Sequence, residues 1–288
     1  MRRAVTEPGA TLVCGHAKSG TTLVQSLLDG HPELIVIPEE TKYFARIHAH
    51  PLRRRPSYLL SRTRLARLAR REPGIYDYGH LDGAAFADAL RGELGALPAS
   101  RRVLPAVARA YARAAGLDAG RARAWVEKTP GHEHALARAR ELWPELRAIY
   151  LVRDPRYVFV SFRAKRATRG RGLDVAPFCR RWAASLAAWD AFAARAPDAA
   201  LAIRYESLVA DPGPVLHALT RFLGVAMAPS LREPTIAGRP FGGNSMHGDA
   251  FDAISAAPVG RHAGRLDSAA AREIETRLAP AFARFGWS

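Results

Sequence analysis

Residues 15–22 read Gly-His-Ala-Lys-Ser-Gly-Thr-Thr, between the apolar run Thr11-Leu12-Val13-Cys14 and a helical pattern over residues 21–29. Strand, glycine-bearing loop and helix in that order point to an anion site, against the competing reading of a plain turn with solvent-facing polar residues. Backbone N–H groups of the loop and first helical turn face outward together, and the helix dipole favours negative charge there. The Gly15-x4-Gly20 spacing matches a Walker-type phosphate loop, yet Thr21 stands where a nucleoside-triphosphate site has lysine. The lysine lies inside the loop, at Lys18. A second string, Leu151-Val152-Arg153-Asp154-Pro155-Arg156, ends another apolar run and turns through Asp-Pro into a helical pattern over residues 156–168. Ligands of open parallel sheets bind in the crevice at such strand ends. Arg153 can fork onto a phosphate there, with the Ser161 hydroxyl some two helical turns on. The competing reading pairs Arg153 with Asp154 or a surface carboxylate.

Together the two strings resemble the donor-binding segments of sulfotransferases that use 3′-phosphoadenosine 5′-phosphosulfate (PAPS). Further strings are similar to that family and follow its order: Leu27-Leu28-Asp29-Gly30-His31-Pro32-Glu33, Glu39-Glu40-Thr41-Lys42-Tyr43-Phe44, Glu127-Lys128-Thr129-Pro130, Arg204-Tyr205-Glu206-Ser207-Leu208 and Val259-Gly260-Arg261. They span about residues 11–265 and leave residues 45–120 unmatched. The resemblance implies transfer of a sulfuryl group from PAPS to an acceptor hydroxyl or amine, releasing adenosine 3′,5′-bisphosphate, with no metal. It casts Lys18 as the cation at the bridging oxygen, where charge gathers in the transition state. It gives the 5′-phosphate to Ser19, Gly20, Thr21 and Thr22, and the 3′-phosphate to Arg153 and Ser161. Arg261 lies in a string that resembles the family segment closing over that phosphate, with His262 where the family commonly has tryptophan. Tyr205 either stands near the adenine or helps seal the strand end.

The resemblance also bears on the base that takes the acceptor proton. The string at Glu40 is closer to the glutamate-base, heparan-sulfate-type branch, which makes Glu40 the base and leaves Glu39 as a local competitor. The cytosolic branch uses a histidine in a Lys-Thr-His string, and here that string is Lys128-Thr129-Pro130. Lys128 then supports the sulfuryl oxygens or orients the acceptor. His132 and His134 follow closely and could stand in for that histidine, but are expected instead to open a helix as partly exposed polar residues.

These residues need a scaffold, and the apolar runs supply it. Residues 11–14, 34–37, 124–126, 148–152 and 200–203 read as buried strands. Helical patterns fall near residues 21–29, 83–97, 103–116, 132–142, 156–168, 178–195, 213–223 and 268–285. Such alternation predicts a three-layer α/β fold with a central parallel sheet, and the resemblance adds a P-loop, nucleotide-kinase-like topology. Residues 1–288 are expected to form one domain, with a helical insertion over about 45–120 that caps the site and shapes the acceptor pocket. Residues 237–264, rich in Gly and Pro, are expected to form a functional loop over the donor. Trp182 and Trp189 share one helical face and are expected in the core.

The chain has 288 residues, 48% hydrophobic and 24% charged, with a net charge of +16. No apolar stretch approaches the roughly 18 residues of a membrane span, no secretory leader is apparent, and two cysteines make no disulfide framework. A cytoplasmic protein is the expectation. The charge favours anionic partners, but 39 of the 43 basic residues are arginine, so much of it is expected to be solvated surface. The four lysines are therefore the informative cations, since a compact ammonium is not interchangeable with a guanidinium. Lys18, Lys42 and Lys128 lie in the strings above, and Lys165 lies apart, on the helix after Ser161. Two rival functions remain at this level: a P-loop kinase using a nucleoside triphosphate, and a basic, non-enzymatic nucleic-acid-binding protein. No nucleic-acid partner is expected on the leading reading.

Overall fold

All five apolar runs form strands: β1 (Gly9–Cys14), β2 (Leu34–Val36), β3 (Ala124–Lys128), β4 (Arg147–Val152) and β5 (Ala200–Arg204). The computed structural model describes residues 8–72, 76–243, 254–256, 259 and 264–287. The strands make one parallel sheet in the order β2-β3-β1-β4-β5, with β3 and β4 flanking β1. Parallel pairing gathers the loops that follow β1, β2, β3 and β4 at one edge of the sheet, and the strand order reverses at β1. Such a switch point is where open α/β sheets take their ligands.

The near-continuous apolar character of the strands follows from burial on both faces. Side-chain alternation sends Ala10, Leu12 and Cys14 of β1 into one core, with α5 (Gly83–Leu94), α6 (Val103–Ala114) and α9 (Val175–Arg195). Val13 points into the other core, with α1 (Thr21–Leu28) and α11 (Pro212–Leu223). Trp189 of α9 stacks on Tyr150 of β4 at 5.0 Å, and Trp182 meets Trp287 edge-on, so both tryptophans are core residues.

The segment expected as a cap does two jobs. Its helices α5 and α6 pack on the sheet and share a core with Ile35 and Trp125. The shorter α2 (Tyr43–Arg46), α3 (Pro56–Arg62) and α4 (Ala66–Arg70) lie between β2 and α5, and the α3–α4 turn brings Arg64 to the site. After β3 come a 3-10 turn (His132–Ala135) and α7 (Leu136–Leu142); β4 leads into α8 (Pro155–Ala167), and β5 into α10 (Tyr205–Ala210). A small antiparallel pair, β6 (Thr235–Ile236) and β7 (Arg239–Pro240), opens the Gly/Pro-rich region. The expected C-terminal helix is two, α12 (Ser268–Arg277) and α13 (Ala279–Phe285). They part at Leu278, where Pro280 can join only a first helical turn. Among the described residues no helix is long and apolar enough to cross a membrane.

Candidate functional site

The loop after β1 is held from behind by a carboxylate. Glu133 is buried and accepts hydrogen bonds from the N–H of Gly15 and of Gly131, each at 3.0 Å, and from the Ser185 hydroxyl at 2.6 Å. Gly15 has φ 136°, and a Cβ there would lie 2.5 Å from the Leu151 carbonyl oxygen. Only glycine lets β1 turn so close to β4. Lys18 adopts a left-handed φ of 77°, a cost of the kind that persists where function requires it. The Ser19 hydroxyl is buried and makes no hydrogen bond within the protein. Burial, and then the charges of Lys165, Arg153 and Lys128, push the Lys18 ammonium down to about 8. Thr21 and Thr22 are buried in the first turn of α1, and Thr22 accepts a hydrogen bond from Lys128 at 3.2 Å.

Arg153 does not pair with Asp154. Asp154 caps α8, accepts the Arg156 N–H at 2.8 Å and binds the Arg156 guanidinium through both oxygens. Arg153 instead lies over the Tyr205 ring at 4.1 Å and donates weakly to the Lys18 carbonyl at 3.4 Å. Its Nε is buried without a hydrogen-bond partner. Among the described residues no carboxylate comes within 4.0 Å of it, so the guanidinium keeps donors to spend. Tyr205 also packs against the loop: a Cβ on Gly20, at φ 98°, would fall 2.4 Å from the ring. Glu206 accepts the Asp154 N–H at 2.9 Å. The Arg204-Tyr205-Glu206 string therefore braces both strand ends, with Tyr205 supporting Arg153. Ser161 is half-buried on α8.

The two neighbouring glutamates are treated differently. Glu39 is 1% exposed and faces Arg67 at 3.4 Å and Arg64 at 3.8 Å. Burial outweighs both arginines and raises its carboxyl. Glu40 is 21% exposed, accepts from Lys128 Nζ at 2.9 Å and from Arg64 at 3.2 Å. There burial pushes upward too, but Lys128, Arg64 and Lys42 prevail and hold the carboxyl below its ordinary value. Neither glutamate is a solvated loop charge.

Beneath Glu40 lies a buried network invisible in the strings. Glu127 Oε1 accepts from the Thr41 N–H at 3.0 Å, the Thr41 hydroxyl at 2.7 Å and the Thr129 hydroxyl at 2.6 Å. Thr129 accepts the Lys42 N–H at 3.2 Å, fixing Lys42 at a left-handed φ of 52°. His132 is not partly exposed but 1% exposed, with Nδ1 3.0 Å from Glu127 Oε2, because the 3-10 turn tucks it under Phe44. His134 is exposed, as expected.

Lys165, outside the matched strings, shares this crevice's charge network. It lies four residues after Ser161, on the same side of α8, and its charge is felt by Lys18 and Lys42 and interacts with Glu40 and Lys128. Lys128 bonds Glu40 directly, and the Glu40 charge also acts on Lys18, Lys42 and Lys165. The i, i+4 spacing from Ser161 was the signal for it. Arg64 carried no comparable mark. Arg261 and His262 lie outside the described residues.

Comparison with known proteins fits this geometry. A model of the sulfotransferase family matches residues 10–229, over three quarters of the chain. The chain belongs to the sulfotransferase family. Among solved structures, the sulfotransferase domain of the Synechococcus PCC 7002 olefin synthase is 21% identical, with 98% of each chain covered and a TM-score of 0.61. The sulfotransferase domain from the curacin biosynthetic pathway is also 21% identical, covering 94% of this chain and 98% of that one, with a TM-score of 0.59. Sulfotransferase STF9 from Mycobacterium avium is 15% identical, covering 98% and 77%, with a TM-score of 0.50. At these identities the likeness is one of fold. No curated protein sequence matches the chain.

Proposed function

We propose that this sulfotransferase takes its sulfuryl group from PAPS and passes it to an acceptor hydroxyl or amine, with Glu40 as the base, as in the glutamate-base branch. One observation carries the reading. Two cations, Lys18 and Arg153, stand at the ends of adjacent strands β1 and β4, with no carboxylate within 4.0 Å among the described residues. Beside them the Ser19 hydroxyl and Arg153 Nε are buried and unpartnered. Buried polar groups are nearly always satisfied, so orphans in a cationic crevice fit a polyanionic ligand. Two separate anion sites suit a donor with phosphates at both its 5′ and 3′ ends. A kinase reading is disfavoured by Thr21 in place of the expected lysine and by the second anion site.

PAPS supplies an activated sulfuryl group on its 5′-phosphate. Lys18, with the α1 N-terminus and the Ser19, Thr21 and Thr22 hydroxyls, would hold that end. Arg153, steadied on Tyr205, would hold the 3′-phosphate, with Ser161 on the helix that follows. Lys18 also stabilises negative charge that grows on the departing phosphate oxygen, an effect greater in the transition state than before it. Glu40 is kept ionised by Lys128 and Arg64 and so is ready to accept the acceptor's proton on a carboxylate oxygen. Its low basicity is offset by position, since it is the more exposed of the two glutamates. Lys128 is buried against Thr22 and Glu40, which ties the base to the donor loop.

Calorimetry in the presence of a chelator tests the donor. Adenosine 3′,5′-bisphosphate is expected to bind without metal; tighter binding of ATP with magnesium would end the PAPS reading. Glu40→Gln tests the base, with turnover expected to fall roughly 10²–10⁴-fold while bisphosphate binding holds. Near-normal turnover in that variant, with loss in His132→Ala or His134→Ala, would move the base to a histidine.

A further inference from the structure

We infer that the acceptor itself carries an anionic group, a carboxylate or a phosphate or sulfate ester, received by Lys42, Arg64 and Lys165 beside Glu40. The inference rests on the proposed function and adds the substrate class. Once the donor is assigned, the cations of the crevice divide into two sets. Arg153 and Lys18 answer to the two ends of the donor, and Lys128 is spent on Glu40 and Thr22. Lys42 and Lys165 remain. Both are half-buried, and among the described residues neither has a carboxylate within 4.0 Å. Arg64 is already shared between Glu39 and Glu40 and still gathers at the same place.

Three separate parts of the chain deliver these charges: the turn after β2, the α3–α4 turn and the second half of α8. Lys42 is held there at a left-handed backbone angle by the Thr129 hydroxyl, so its position is built rather than incidental. Two of only four lysines in a chain of 39 arginines occupy this spot. A neutral acceptor would leave the ammonium groups half-buried and unpaired beside further cations, and burial already lowers both. An anionic acceptor would pair them and would leave Glu40 free to turn to the attacking hydroxyl or amine. Among the described residues the carboxylates that face these cations are Glu40 and, beside Arg64, the buried Glu39, which Arg67 also holds, so repulsion of an anion is small against this attraction.

Having four lysines makes the test direct, because amine labelling read by mass spectrometry reports each one. With saturating adenosine 3′,5′-bisphosphate, Lys18 is expected to be protected while Lys42 and Lys165 stay reactive. Protection of Lys42 and Lys165 by the bisphosphate alone would assign them to the donor and overturn the inference. Failure to protect even Lys18 would instead remove the donor reading beneath it. The second arm uses PAPS with hydroxy acids against their methyl esters, and aryl phosphates bearing a free hydroxyl against their dephosphorylated counterparts. The charged member of each pair is expected to be turned over preferentially. Lys42→Met and Lys165→Met should each raise its KM about 10–100-fold, the scale of a charge-assisted contact, and collapse that preference, with a much smaller change in bisphosphate affinity. Equal or better turnover of the neutral members would overturn the inference.

Discussion

Replacing Lys18 with methionine should make the protein more stable and leave it without transferase activity. The ammonium is stripped of water and surrounded by Lys165, Arg153 and Lys128, which brings it from 10.5 to about 8. At about 1.36 kcal/mol per tenfold change, that difference costs the folded state about 3 kcal/mol at pH 7. The sign follows from proton binding. Between pH 8 and 10.5 the unfolded chain holds a proton that the folded chain has released, so wild-type stability rises with pH across this window. Lys18→Met lacks the penalty at every pH. Its advantage should therefore be full below pH 8 and fade towards pH 10.5. Urea denaturation across pH 7–10.5 measures it, and a rise of several degrees in Tm at pH 7 is the thermal equivalent, at about 2 °C or more per kcal/mol. Bisphosphate should reverse the order, because it stabilises the wild type by pairing Lys18 and gives the variant less. Equal stability at pH 7, or an advantage that does not change with pH, would show that Lys18 is not a strained cation awaiting an anion. For the same reason kcat/KM for the donor, which reports the free enzyme, should decline above about pH 8 as the ammonium is lost.

Arg153→Ala should weaken bisphosphate binding by roughly 2–4 kcal/mol, the scale for a buried charge-assisted contact, while adenosine 5′-phosphosulfate, which lacks the 3′-phosphate, should scarcely respond in the same calorimeter. Gly20→Ala should mimic part of that loss without touching Arg153, because the new Cβ would press on Tyr205 at 2.4 Å and the ring carries the guanidinium; unchanged bisphosphate affinity would mean Tyr205 does not position Arg153. Glu127→Ala orphans three buried donors and should cost about 3 kcal/mol or more in stability, with kcat falling more than KM for the donor rises. Glu127→Gln keeps the oxygen that Thr41 and Thr129 use and should restore most of kcat, which a role confined to bulk stability would not reproduce at matched folded fractions.

The order of elements and the anion-binding strings were legible because they are local properties. An apolar run followed by glycine and a helical period fixes strand, turn and helix within about twenty residues, and both Lys18 and Arg153 fall at strand ends by that logic alone. Choice of partner was not legible, because it is decided across the fold. Arg153 and Asp154 are neighbours in sequence, yet the cap position turns the Asp154 carboxylate onto the first turn of α8, where Arg156 claims it. Arg153 still belongs to the strand end and is left to Tyr205, some fifty residues later. Adjacent Glu39 and Glu40 part in the same way, the first sealed against Arg64 and Arg67, the second drawn to Lys128 by the register of β2 against β3. Glu133 gave no sign of its role, since only the fold brings its carboxylate to the Gly15 N–H. Lys165 was half legible: its spacing from Ser161 put it on the crevice side of α8, but the meaning of that placement needed the neighbouring cations. A run of residues can show where an anion would bind. Which cations remain unpaired, and so which further anion the crevice awaits, emerges only when every carboxylate within reach has been assigned.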